Sequence, residues 1–222
     1  MVNNINSPFS NDNRNYDYTG LEIEERKEYQ RIAELVNPSS NIIDLGCGNG
    51  SLMQKLQSEL NCNVTGVEIS ETGVNICKAK KLNVFQGSID SRLQFDDNSF
   101  DFAICNVTIQ MVMYPEVLLS EMKRIAKFSI ISFPNFAYFK NRIDLIMHGR
   151  MPRPMLFNYN WYNTGHIHQL SMLDFESIVE KVGGLKIIKT DLEKTNTFSK
   201  DILLKAFPNL FQILPIYVLE KT

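Results

Sequence analysis

The chain has 222 residues, 44% of them hydrophobic and 22% charged, which is too apolar for intrinsic disorder and long enough to bury a core without disulfide or metal staples. Twenty-three basic against twenty-five acidic side chains leave a net charge of −2, which argues against the basic face expected of nucleic-acid or anionic-membrane binders. The N-terminus is polar and no apolar run reaches the roughly 18 residues of a membrane span. The cysteines (Cys47, Cys62, Cys77, Cys105) have no metal-ligand or redox spacing, so a cytoplasmic protein with reduced thiols and no metal is predicted.

Residues 1–19 are rich in Asn, Ser and Asp and read as a flexible arm, with Tyr16 and Tyr18 ordering its end; 20–222 read as a single domain. A surface helix over 21–36 is ended by Asn37-Pro38, because the residue before proline avoids helical geometry. Strands are then predicted at 41–45, 63–69, 82–86, 100–106 and 128–133, and helices at 49–60, 71–80 (capped by Ser70) and 115–126. Short apolar strands alternating with amphipathic helices imply an α/β fold: a doubly wound, mostly parallel sheet covered on both faces. The rhythm breaks over 134–170, an aromatic and basic insert holding all three histidines, and resumes with a helix at 172–182 and strands at 185–190 and 214–219.

The chemistry concentrates in Asp44-Leu45-Gly46-Cys47-Gly48-Asn49-Gly50, between the first strand and the helix after it. Ligands of such sheets lie at the carboxyl ends of the strands, and alternating glycines let backbone approach a ligand with no Cβ in the way. The register is G-x-G-x-G, not the G-x-G-x-x-G that seats a dinucleotide pyrophosphate. Glu68 ends the second strand, where a carboxylate accepts both hydroxyls of a ribose. A glycine loop with a ribose acid and no pyrophosphate binder fits S-adenosylmethionine better than NAD. Cys47 has no partner histidine in the loop and reads as a small loop residue.

These residues resemble class I S-adenosylmethionine-dependent methyltransferases. By that resemblance Asp44, Gly46, Cys47, Gly48, Asn49 and Gly50 line the methionine and ribose, Glu68 holds the ribose, and Ile69 packs on the adenine. Gly87, Ser88 and Ile89 edge the adenine, Asn106 sits near the methionyl amine, and S-adenosylhomocysteine is the product. The stretches GCGNGSL, GVEI, QGSID, NSFDFAI, SFPNF, GRMP, WYNTGHIH and LDF are similar to the MetW family of methionine-biosynthesis proteins. The resemblance implies seven strands in the order 3-2-1-4-5-7-6, the last antiparallel, with a lid-like insert after the fifth. Asn49, Ser88 and Gly165-His166 depart from the family pattern.

A methyl acceptor, taken as a small polar metabolite, is expected to meet Arg150 and Tyr162. His166 and His168 are the candidate catalytic bases, since imidazole titrates near neutrality, and each could equally be a hydrogen-bonded structural histidine. Asp90 is a weaker candidate. The alternative implied by the resemblance is a non-catalytic, cofactor-binding subunit that activates a homoserine O-acyltransferase, and Phe207, Leu210 and Phe211 are its candidate docking residues.

Overall fold

Paired apolar residues on consecutive strand positions dictate the architecture. Successive strand side chains point to opposite faces, so Ile42/Ile43, Phe102/Ala103, Ile104/Cys105, Ile130/Ile131 and Ile216/Tyr217 each supply one residue to either side of a sheet buried on both faces. The computed structural model describes residues 18, 20, 26–152, 165–193 and 198–222, with the side chains of 198–200 left aside.

Its strands are β1 (Asn41–Leu45), β2 (Asn63–Glu68), β3 (Asn83–Gln86), β4 (Phe100–Asn106), β5 (Ala126–Ser132), β6 (Leu185–Asp191) and β7 (Ile216–Lys221). They form one sheet in the order β3-β2-β1-β4-β5-β7-β6. The pairs from β3 to β5 are parallel, and β7 runs antiparallel to both β5 and β6. Both the order and the direction of the last strand agree with the family-based expectation.

Helices α1 (Lys27–Ala33), α2 (Ser51–Leu60) and α3 (Glu71–Ala79) cover one face, burying Ile32, Leu52, Met53, Leu56 and Cys77 against Ile42, Val64 and Ile104. Helices α4 (Pro115–Ile125) and α6 (Met172–Val182) cover the other, with Leu118, Met122, Phe175 and Val179 packed on Ile43, Ala103, Phe133 and Tyr217. Arg124 clamps the β3–β4 connection. Its guanidinium donates to the Leu93 and Phe95 carbonyls and pairs with Asp97 and Glu121, whose Oε2 also accepts from Leu93 N. These pairings hold Arg124 above its ordinary pKa and Glu121 below its own.

Several elements differ from the sequence reading, β5 and β7 by about two residues along the chain. Helix α2 begins at Ser51 rather than at residue 49, because Gly50 is left-handed (φ 75°) and cannot be a helical residue. The insert contains a helix, α5 (Phe139–His148), and the stretch before β7 contains α7 (Phe198–Ala206) and α8 (Pro208–Phe211); none of these is marked by the sequence pattern. Asn135, of SFPNF, shows why the insert starts where it does. It is buried after β5, its Nδ2 donates to the carbonyls of Asn209 and Gln212, and its backbone N donates to Ile213 O. The start of the insert is thereby fastened to the segment that feeds β7. Among the described residues no helix is long and apolar enough to cross a membrane.

Candidate functional site

Parallel pairing brings the carboxyl ends of β1, β2 and β4 to one edge of the sheet. After β1, Gly46 N and Cys47 N both donate to Val67 O (2.8 and 3.2 Å), folding the loop back over the end of β2. Gly46 is left-handed (φ 83°), and a Cβ there would lie 2.5 Å from Thr108 Cγ2. Gly48 (φ 57°) instead faces the ring of Tyr18, whose nearest atoms would lie 3.2 Å from a Cβ at this position. Tyr18 N donates to Thr72 Oγ1 at the start of α3, so the end of the arm lies against the loop. Cys47 is buried; its hydrogen bond with Cys77 and its burial push the thiol well above its ordinary pKa, which suits a packing role.

Two buried carboxylates carry the electrostatics. Glu68 Oε2 accepts from Gly48 N and Oε1 from Ser70 N, both at 2.8 Å. A carboxylate oxygen can accept more than one hydrogen bond, so backbone donors orient the group without exhausting it. Burial, and then the charge of Glu68, push the Asp44 carboxyl up to about 7. Two such groups disfavour a pyrophosphate and favour a ligand that presents hydroxyls and a positive charge. The residues present fit S-adenosylmethionine on that ground.

Around this pair the other expected cofactor residues take distinct positions. Asn49 is buried and its Oδ1 accepts from Ser51 N at the head of α2. Ile69 is 37% exposed just beyond Glu68, an apolar surface suited to a ring. Gly87 N donates to Glu68 O (3.0 Å), and a Cβ at Gly87 would meet nothing closer than 3.9 Å, so that wall is open. Ser88 Oγ donates to Asp90, and Ile89 is buried. Burial raises the Asp90 pKa, but the bonds from Ser88 and from the backbones of Met113 and Tyr114 outweigh it and hold the carboxyl below its usual range. Asp90 ties the β3–β4 connection to the start of α4, which leaves it poorly placed to act as a base.

The far wall is the end of β4. Asp44 is level with Ile104, so Asn106 lies beside Gly46. Asn106 Oδ1 accepts from Ser132 Oγ at 2.5 Å. Val107 is left-handed (φ 51°), unusual for a β-branched residue, and is held there as its N–H donates to both Ser132 O and Ser132 Oγ. The chain then turns through a short 3₁₀ helix, Ile109–Met111. Within it Gln110 O accepts from Ile167 N (2.9 Å) and His168 N (3.0 Å), which draws the end of the insert to the β4 edge.

The backbone at Ile167 and His168 is therefore held at the turn that follows Asn106. Burial lowers the His166 pKa, and the edge of its ring meets Phe136 at 6.3 Å between centroids. His148 is elsewhere, paired with Asp144 on exposed α5. Arg150 is exposed just past the end of α5, and Tyr162 lies outside the described residues. Tyr138 and Phe139 of the insert meet edge to face, and Phe139 lies tilted against Phe211, so these aromatics serve packing. Gln110 was missed by sequence reasoning; the available signal was an amide inside the apolar run Val107–Val112 directly after a strand.

Solved structures with this fold include magnesium protoporphyrin IX methyltransferase from Synechocystis with bound S-adenosylhomocysteine (TM-score 0.62, 16% identity, 92% of this chain and 84% of that one). Another is an S-adenosylmethionine-dependent methyltransferase from Thermotoga maritima (TM-score 0.58, 20% identity, 88% of each chain). The bifunctional methionine biosynthesis protein MetXA/MetW of Rhodopirellula baltica is 34% identical over 145 residues. That match takes in 61% of this chain and 23% of the relative, so the chain spans less than a quarter of the relative's length. The family model described as "Methionine biosynthesis protein MetW" matches residues 26–219, and with a class I methyltransferase fold across the same span, the chain belongs to the MetW family.

Proposed function

We propose that the chain binds S-adenosylmethionine and directs its methyl group to a small polar acceptor. The observation that carries this reading is the buried Asp44–Glu68 pair beneath a glycine loop, with Glu68 oriented by Gly48 N and Ser70 N. Asp44, the 46–50 loop and Asn106 would hold the methionine end, Glu68 the ribose, and Ile69 with 87–89 the adenine. The bound cofactor supplies an activated methyl on a sulfonium. The chain's own contribution is to align and dry the site, which accounts for most of the acceleration of an in-line displacement. His166, kept neutral by burial, is suited to take a proton from the acceptor, with His168 beside it. Arg150 and Tyr162 are proposed to hold the acceptor. Calorimetry is expected to show S-adenosylhomocysteine binding, and Glu68→Gln should weaken it about tenfold to a hundredfold, as a charged hydrogen-bond acceptor is lost. Tighter binding of NAD than of S-adenosylhomocysteine would refute the reading.

A second reading has one specific support: the Rhodopirellula relative joins MetXA and MetW in one chain by name. On that reading this protein is a non-catalytic subunit that activates a homoserine O-acyltransferase. Phe207 is 58% exposed and available for docking, while Phe211 is engaged with Phe139. Acyltransferase assays with and without the purified protein separate the two. Activation that persists in Gly48→Val and His166→Ala, with no methylated product from cell extract, would favour the subunit; methylation lost in His166→Ala with cofactor binding intact favours the enzyme.

A further inference from the structure

The turn after β4 holds a buried polar atom that nothing among the described residues satisfies. Gln110 is fully buried, and its Nε2 donates to Val107 O at 2.9 Å, which orients the amide and fixes which end is oxygen. Oε1, equally buried, accepts no hydrogen bond from the described residues. His168 Nε2, on the segment tied to the Gln110 carbonyl, is likewise buried without a partner among them. Unpaired buried polar atoms are rare because each forfeits its hydration, and a leucine would fill the same space at no such cost. The turn is further held by a left-handed Val107, and such strain persists where surrounding structure imposes it. Thr108, two residues before Gln110, is the residue a Cβ on Gly46 would strike, so this turn abuts the glycine loop.

We propose that Gln110 Oε1 is the hydrogen-bond acceptor for an N–H or O–H on the reacting atom of the methyl acceptor. The acceptor class is therefore an amine or a hydroxyl compound rather than a carboxylate. A fixed carbonyl oxygen in a low-dielectric site attracts ammonium, amine or hydroxyl hydrogens and repels carboxylate oxygens. Asp44 and Glu68, at the neighbouring strand ends, bias the site in the same direction. This assignment rests on the methyl-transfer reading and adds the chemistry of the acceptor to it.

Sinefungin tests it, because that analogue carries an amine-bearing carbon in place of the sulfonium and so presents N–H groups where the methyl would leave. By calorimetry the wild-type protein is expected to bind sinefungin about tenfold more tightly than S-adenosylhomocysteine. Gln110→Leu should lose that preference while S-adenosylhomocysteine affinity stays within about twofold. A preference unchanged in Gln110→Leu overturns the assignment and leaves the methyl-transfer reading standing. Absence of any S-adenosylhomocysteine binding by the wild type overturns both. Should Gln110→Leu not fold, the side-chain amide resonances of Gln110 in the wild-type protein decide. In the S-adenosylhomocysteine complex they are expected to shift on adding methylammonium and not on adding acetate; the opposite pattern, or no shift with either, overturns the assignment.

Discussion

Asp44→Asn is expected to raise the melting temperature of the ligand-free protein at pH 8 while weakening its binding of S-adenosylhomocysteine. The Asp44 carboxyl lies at about 7 in the folded protein against 3.8 for an ordinary aspartate, because burial and the Glu68 charge both oppose its ionisation. Between those values the folded state holds a proton that the unfolded state has released. Stability contributed by Asp44 is therefore fully present below pH 4 and declines as pH rises to 7. Each unit is worth roughly 1.4 kcal/mol, so the charged side chain costs on the order of 4 kcal/mol at pH 8. Asn keeps the shape and removes the charge, and for a domain of this size each kcal/mol moves the melting temperature by about 2–4 °C. Calorimetric scans from pH 4 to 8 should show the two proteins converging at the acid end. A variant that melts below wild type at pH 8 would show that Asp44 is paired rather than strained. A cationic ligand reverses the penalty, so wild-type affinity for S-adenosylmethionine should rise through pH 7.

Gly46→Ala and Gly48→Ala are expected to separate the two tasks of the glycine loop. At Gly46 the added methyl would lie 2.5 Å from Thr108 Cγ2 and 2.8 Å from Thr108 Oγ1. That hydroxyl already donates to Asn106 O at 2.9 Å, so the side chain is not free to rotate away. Left-handed geometry costs an alanine about 1–2 kcal/mol, and overpacking adds about 1–3. The sum is a large fraction of the stability of an ordinary domain, and Gly46→Ala should unfold at much lower urea. At Gly48 the neighbour is the Tyr18 ring at 3.2 Å, which needs to give by only a few tenths of an ångström. Gly48→Ala should lose only the backbone term, stay folded, and still bind S-adenosylhomocysteine at least tenfold more weakly, since its methyl displaces the Tyr18 ring and shifts the loop that meets the ligand. Equal effects of both substitutions on stability and on binding would show that the loop is a structural turn alone.

Much of this was legible in the residues. Strands β1 and β4 and helix α6 lie at the predicted residues, and Ser70 caps α3 by accepting from Gly73 N. Each rests on local rules: runs of apolar residues bounded by breakers, or an oxygen placed to cap a helix. Helix α5 escaped because its apolar residues do not mark a buried face; Ile146 is 79% exposed and Ile143 51%. Helices α7 and α8 escaped in a stretch bounded by breakers but read only as the approach to the last strand. The start of α2 was misplaced by two residues because a glycine's hand is set by the loop around it.

By itself the sequence determined the alternating α/β pattern, the glycine loop and the acid at the end of β2, since all three are properties of neighbouring residues. The tertiary structure decided what those groups do to one another. Asp44 is raised only because parallel pairing sets β1 beside β2 and buries both carboxylates at one edge. The turn after β4 is joined to the end of the insert only because Ile167 N and His168 N, more than fifty residues onward, take the Gln110 backbone carbonyl. Hydrophobic period tells which side of an element is buried, whereas the meeting of particular polar atoms depends on how the chain crosses itself, and that is settled only when the whole sheet has formed.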